Sequence, residues 1–257
     1  MAESVPPLVK PPVALIVGAS SGIGAALAKR LSADGYRVVL LARRSDLLQK
    51  LTNEINALHG ENWARFYRHD VTDYAAVPEL FQRIIAETGG VDAVIYAAGV
   101  LVPVAEDEYN FAKERPMLEV NLLGAVAWLD QAAAYFHTMR QGHIVGISSV
   151  AGDRGRVKNP VYQASKAGLS NYLESLRNRL AHRGVHVLTV KPGFVDTDML
   201  KQAGGGKFWV ISPEQAAEDI ARAIRRRKTE IYTPARWRWL MLIIRHIPGF
   251  IFRRLKV

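Results

Sequence analysis

Residues 13–24 read Val-Ala-Leu-Ile-Val-Gly-Ala-Ser-Ser-Gly-Ile-Gly, and the change of character inside this stretch decides the fold. The apolar run Val13 to Val17 predicts a strand covered on both faces. Glycines then recur at positions 18, 22 and 24, and Gly22 to Ala33 predicts a helix that closes near Gly35. A strand that turns through glycine into a helix leaves free backbone N–H groups and the positive end of a helix dipole at the turn, where a pyrophosphate can sit. Gly18, Ser20, Ser21, Gly22, Ile23 and Gly24 are therefore candidate dinucleotide contacts. The spacing is GxxxGxG rather than GxGxxG, so the flanking strand and helix carry as much of the reading as the glycines do.

Outward from that turn, apolar runs alternate with amphipathic stretches. Strands are expected at Arg37–Leu41, Ala64–His69, Val91–Tyr96, His143–Ser148, Val185–Lys191 and Glu230–Tyr232. Helices are expected from Ser45, as cap, to Leu58, then at Val77–Glu87, Asp107–Glu119, Leu123–Met139, Val161–Ala181 and Pro213–Arg227. The last begins with proline inside a capping box, Ser212 to Gln215. Such alternation predicts an α/β fold, a doubly wound parallel sheet of about seven strands. No linker or repeat divides the chain, which reads as a catalytic domain over 1–233 with a basic apolar appendage over 234–257.

Of 257 residues, 49% are hydrophobic, enough for a sizeable core. There is no cysteine, which excludes disulfides, thiol catalysis and thiolate metal sites. No metal-ligand cluster is legible. Met1 to Pro12 carries four prolines and no apolar core, so it does not read as a signal peptide. No stretch of about 18 apolar residues predicts a membrane span. A cytoplasmic location is expected. The net charge of +10 is concentrated: residues 225–257 hold ten Lys and Arg and one acid.

The end of the second strand selects the cofactor. An acid there binds the ribose 2′-hydroxyl of NAD, whereas arginine favours the 2′-phosphate of NADP. Here the strand runs into Ala42-Arg43-Arg44 with no acid before Asp46, so NADPH is expected ahead of NADH. At the end of the third strand Asp70, with Val71 beside it, either accepts a hydrogen bond from the adenine amino group or begins a turn with Thr72 and Asp73.

Tyr162-Gln163-Ala164-Ser165-Lys166 places Tyr162 and Lys166 on one helix face. A tyrosine near its ordinary pKa of about 10 is a poor acid–base group at neutral pH, and a nearby ammonium lowers that pKa. Ser149, at the end of the fifth strand, can polarise a carbonyl oxygen beside Tyr162. Asn121 can anchor a water in a proton relay.

With these motifs in order, the sequence resembles the short-chain dehydrogenases/reductases over nearly its whole length. The resemblance implies a Rossmann-like sheet and a catalytic tetrad of Asn121, Ser149, Tyr162 and Lys166, with Tyr162 and Lys166 also on the nicotinamide ribose. It implies cofactor contacts at Ala98 and Gly99, and at Pro192, Gly193, Val195 and Thr197 in Lys-Pro-Gly-Phe-Val-Asp-Thr. It also implies a homodimer or homotetramer formed through the helix carrying Tyr162. Two positions depart from the family pattern. Val17 stands where threonine is usual, and Tyr96-Ala97-Ala98-Gly99 replaces Asn-Asn-Ala-Gly.

The stretch Pro234 to Leu255, PARWRWLMLIIRHIPGFIFRRL, mixes arginine with aromatic and aliphatic residues, which suits a membrane interface or a packed subunit face. This tail, and Ser148 to Arg156, is similar to a subgroup of the family, the decaprenylphosphoryl-2-keto-ribose reductases. That similarity implies a lipid-linked keto-pentose substrate at the inner face of the membrane, a flavin oxidase partner subunit, and NADH rather than NADPH. Arg154, Arg156 and Lys158 are then candidates for the lipid phosphate. Rival readings are a reductase of another lipid ketone, of ketosphinganine or β-ketoacyl type, and an NADP-sensing binding protein without turnover. Nucleic-acid binding is not expected.

Overall fold

The computed structural model describes residues 10–202, 204 and 208–255. The expectations for the first nine residues and the last two of the tail lie outside the described residues. Strands β1 (Val13–Val17), β2 (Arg37–Ala42), β3 (Ala64–Arg68), β4 (Ala93–Tyr96), β5 (His143–Ile147), β6 (His186–Pro192) and β7 (Glu230–Thr233) form one sheet. Its order is β3-β2-β1-β4-β5-β6-β7, with every neighbouring pair parallel. The order reverses direction between β1 and β4, which opens a crevice at the carboxyl ends of the strands where such sheets bind ligands.

Side-chain alternation splits the core in two. Val13, Leu15 and Val17 pack with α3 (Val77–Thr88), α5 (Gly124–Met139) and α6 (Pro160–Leu180). Ala14 and Ile16 pack with α1 (Gly22–Ala33), α2 (Ser45–His59) and α8 (Pro213–Arg225), which follows a short helix α7 (Asp198–Gln202). Leu15, Leu27, Phe81 and Trp128 are fully buried, each worth about 1.5–3 kcal/mol over exposure. Val17, where the family has threonine, is an ordinary member of the first layer.

Several boundaries differ from expectation for physical reasons. Ser45 is the first helical residue of α2, and the cap position is Arg44, with no side-chain cap bond. The expected helix from Asp107 begins at Phe111 instead, because Asn110 caps α4 (Phe111–Leu118) by accepting the Lys113 N–H at 3.1 Å. Past α4 the chain widens into a π-helical turn, Glu119–Leu123, that carries Asn121 directly into α5. The fourth strand loses Val91 and Asp92, since the Asp92 carboxylate accepts the Val13 N–H at 2.7 Å.

After β7 the tail forms α9 (Trp237–His246) and α10 (Gly249–Phe252). Trp237 and Met241 are buried with Val150 and Tyr232, and Phe194, Trp209, Leu240 and Ile244 pack around them. One face of α9 is thus part of the molecule's packing. Among the described residues no helix is long and apolar enough to cross a membrane.

Candidate active site

The turn after β1 is built by close backbone approach. Gly18 has φ +93°, and a Cβ there would collide with the Ala98 backbone at the exit of β4. A Cβ on Gly24 would collide with the Gly18 carbonyl. These two glycines therefore let the turn fold on itself and on β4, rather than making room for a ligand. At the start of α1, Ser21 makes no side-chain cap bond and the first turn contains no acid. The first N–H groups of the helix keep their positive field.

Arg44 reaches over this turn, donating to Ser20 Oγ at 2.9 Å and Ser21 Oγ at 2.6 Å. Arg43 is mostly exposed and lies 3.7 Å from Asp70 Oδ2. Asp70 Oδ1 accepts the Thr72 N–H at 3.0 Å and hydroxyl at 2.9 Å, so the turn reading holds for that oxygen. Burial pulls the Asp70 carboxyl up, but the Thr72 bonds and Arg43 together hold it below its ordinary value. Val71 buries its side chain in the core, leaving only backbone to face a ligand. Two guanidinium groups, uncapped helix N–H groups and no acid on β2 make a donor set that fits a dinucleotide carrying an extra phosphate.

Ser149, Tyr162, Lys166 and Asn121 come together across the turn from this set. Ser149 lies two residues past β5, in extended conformation, and caps a 3-10 turn, Val150–Asp153, where its Oγ accepts the Ala151 N–H at 3.0 Å. Burial raises the Tyr162 phenol above its ordinary pKa, and the nearby Ser149 hydroxyl draws it back in part. Lys166 Nζ donates to the Ile147 carbonyl at 2.9 Å and lies 6.0 Å from the Tyr162 ring centroid. Burial pushes the Lys166 ammonium down to about 8. The expectation that Lys166 lowers the Tyr162 pKa is not met in this state, because the ammonium is turned to the carboxyl end of β5 and burial governs both groups. The pair of hydroxyls, side by side, can donate two hydrogen bonds to one carbonyl oxygen.

Asn121 is fully buried and its side chain is committed. Its amide donates to the Val100 carbonyl at 2.9 Å and Ser165 Oγ at 3.1 Å, while Oδ1 accepts the Val100 N–H at 2.8 Å. This brace ties the π turn to the loop after β4 and to α6, and it leaves Oδ1 one further lone pair. A Cβ on Gly99 would lie 3.4 Å from both Asn121 Oδ1 and Lys166 Nζ, so the loop after β4 passes between them.

Sequence reading missed the supports. Tyr96, the departure from the family pattern, donates to the Val120 carbonyl at 2.5 Å and so braces the π turn from below. Ser148 Oγ donates to the Lys166 carbonyl at 2.8 Å, tying β5 to α6. Lys191 pairs with Asp153 at 2.8 Å and Glu230 at 2.7 Å, and Tyr232 donates to Asp153 at 2.7 Å. That buried cluster fixes the end of the Ser149 turn to β6 and β7. Burial draws the Lys191 ammonium down, but these two carboxylates outweigh it and hold it above its ordinary value. No local signal marks any of these partners.

Beyond β6 the Pro192–Thr197 segment closes the site. The Gly193 N–H donates to the Thr233 carbonyl at 2.9 Å, and a Cβ on Gly193 would collide with the Trp237 indole. Val195 is buried and bridges to Ile211, and the Thr197 methyl faces Gly22 at 3.1 Å from its Cβ position. Of the three loop cations, Arg154 is already engaged. It donates to the Ile244 and Arg245 carbonyls at the end of α9 and stacks 3.8 Å over Phe252.

A twisted parallel sheet with a phosphate-accepting turn opposite a Ser–Tyr–Lys cluster defines a dinucleotide-dependent oxidoreductase. The chain belongs to the short-chain dehydrogenase/reductase family. A family profile described as short chain dehydrogenase matches residues 12–206. An uncharacterised oxidoreductase of Myxococcus xanthus is 34% identical over 221 residues, 86% of this chain and 87% of that protein. One of Mycobacterium tuberculosis is 32% identical over 231 residues, 89% of this chain and 90% of that protein. Among solved structures, actinorhodin polyketide ketoreductase with NADPH superposes with a TM-score of 0.75 at 27% identity, covering 83% of this chain and 90% of that one.

Proposed function

We propose that this oxidoreductase reduces a ketone to a secondary alcohol with NADPH, and that the ketone is a keto-pentose carried on a polyprenyl phosphate. When bound, NADPH would supply the hydride for the carbonyl carbon. Tyr162 gives its proton to the carbonyl oxygen, and Ser149 holds that oxygen by a second hydrogen bond. Lys166 and the π turn at Asn121 carry a proton back to the Tyr162 oxygen from solvent. Ser20, Ser21, Ile23 and the glycines would hold the pyrophosphate, and Arg43 and Arg44 the 2′-phosphate. Asp70 and Val71 would border the adenine. Ala98, Gly99, Pro192, Gly193, Val195 and Thr197 would line the nicotinamide half.

The observation that carries the substrate reading is the position of α9. Its inner face packs on Val150 and Gly193, at the mouth of the site. Its outer face exposes Trp239, Leu242 and Ile243, and Phe250, Ile251 and Leu255 follow in and after α10. Residues 234–255 carry five arginines and no acid. An apolar, cationic rim beside the catalytic hydroxyls suits a substrate with a long apolar chain and an anionic head, met peripherally at a membrane surface. The sequence similarity to polyprenyl-linked sugar reductases points the same way, with a flavin oxidase as upstream partner and self-association through α6. A β-ketoacyl substrate is the second reading, favoured by the likeness to a polyketide ketoreductase.

The test is turnover of a polyprenyl-phosphoryl 2-keto-pentose against a β-ketoacyl thioester and simple ketones, each with NADPH and NADH. Preference for the lipid-linked sugar with NADPH is expected. Preference for the thioester overturns the substrate reading, and absence of any turnover overturns the reaction.

A further inference from the structure

Three cations, Arg154, Arg156 and Lys158, stand in the loop between Ser149 and Tyr162, and the structure separates them. Arg154 is spent on the carbonyls of α9 and the Phe252 ring. Lys158 is exposed, and its carbonyl accepts a bond from Gln163. Arg156 is different. Its backbone is pinned by its N–H donating to Gln163 Oε1, so the residue is anchored to the first turn of α6, next to Tyr162. Its side chain runs under the tail and is half-buried. Among the described residues the guanidinium has two weak partners, the Val150 carbonyl at a long 3.4 Å and the poor acceptor Met241 Sδ at 3.4 Å. Nε is buried and has no acceptor among the described residues. Among the described residues no carboxylate pairs with it, and burial draws its pKa down against the opposing charge of Asp153.

A guanidinium withdrawn from water without an anion is held at a cost unless something arrives to satisfy it. The nearby acids do not. Asp153 is consumed by Lys191 and Tyr232. Val150, whose carbonyl Arg156 touches, is the residue after Ser149. The cation therefore touches the carbonyl of the residue that follows Ser149, on the side where Met241 of α9 packs. Carboxylates, phosphate monoesters and phosphodiesters all match its planar fork, and phosphate does so bidentately.

We infer that Arg156 is the anion-binding residue of the substrate site and holds a phosphate group attached close to the ketone being reduced. This rests on the reading of a phosphate-linked keto-sugar, and adds which side chain recognises the phosphate. It also gives a role to the one cation of the loop that is withdrawn from water without an anion.

The experiment compares a farnesyl-phosphoryl 2-keto-pentose with the same keto-pentose as a neutral farnesyl glycoside. The wild-type chain should show a lower KM for the phosphodiester. In Arg156→Gln that advantage should shrink by roughly 10- to 100-fold, the worth of a charge-assisted bond pair, and Arg156→Lys should restore part of it. Binding of farnesyl phosphate to the NADP-loaded protein, followed calorimetrically, should weaken in the same order. Circular dichroism melting of both variants separates loss of the contact from loss of the fold. A wild-type preference for the phosphodiester that Arg156→Gln leaves intact overturns the inference alone. A wild-type enzyme that reduces neither compound, or shows no preference between them, overturns the substrate reading and this inference with it.

Discussion

The two halves of the sheet, β1–β3 and β5–β7, meet the crevice by different means. On the β1 side the site is made of backbone: a turn folded so tightly that Gly18 and Gly24 admit no Cβ, and a helix end left uncapped. On the β5 side it is made of side chains: two hydroxyls, a buried ammonium and an ion cluster, Lys191–Asp153–Glu230, that holds them in place. Backbone recognition requires only that nothing be added, so short-range sequence suffices to specify it. Side-chain recognition requires partners brought from far along the chain, and the geometry depends on each of them.

The contrast is sharpest at Tyr162. Replacing it with Phe is expected to lower kcat by roughly 100- to 10,000-fold, the range for removing a general acid, with NADPH affinity by fluorescence titration nearly unchanged. Gly18→Ala should do the reverse, weakening NADPH binding and destabilising the turn through strain at φ +93°, before any step of the chemistry is touched. Retained turnover in the first, or retained cofactor affinity in the second, breaks the division of labour. On the substrate side, Lys191→Met leaves Asp153 buried without its cation, and urea unfolding should report a loss of about 3–5 kcal/mol. An unchanged midpoint would mean that the cluster does not hold the Ser149 turn.

Smaller effects refine the same comparison. Arg44→Ala should raise the NADPH KM by about tenfold, the worth of one charge-assisted contact, while the NADH KM moves little. An equal change for both cofactors would assign Arg44 to the pyrophosphate instead. The pH dependence follows from Lys166, whose ammonium is pushed down to about 8. The charged form is present below that pH and lost above it, so kcat/KM for reduction should fall as pH rises through about 8. Lys166→Arg, which stays charged, should move that limb upward.

The same contrast governs what could be read from sequence. Helix α1 is bounded by its glycine turn and by Gly35, both local signals, and its range was legible to the residue. Tyr162 and Lys166 were legible as a pair from their spacing on one helix face, whereas Asn121 and Ser149 joined them as a set through the resemblance to the family, since Asn121 stands in a π turn that no period marks. The helix expected from Asp107 starts instead at Phe111, behind the Asn110 cap, and the π turn that follows it was not legible, because its brace is the Tyr96 hydroxyl reaching Val120 from another strand. Arg154 read as one of three equivalent cations; its partner Phe252 lies 98 residues away, and nothing near Arg154 announces it. Arg156 and Lys166 share a lesson. A charge can be read from sequence, but whether water or the protein surrounds it cannot.

Trp237 rests directly on Gly193, and Met241 on the side chain of Arg156. For anyone wishing to make the protein better behaved in solution, trimming the greasy C-terminus is the obvious step, and here it is the wrong one. Cutting at Pro234 would remove the outer apolar stripe and the inner wall of the active site in one stroke. Polar replacements at Trp239, Leu242 and Ile243 would improve handling and leave that wall standing.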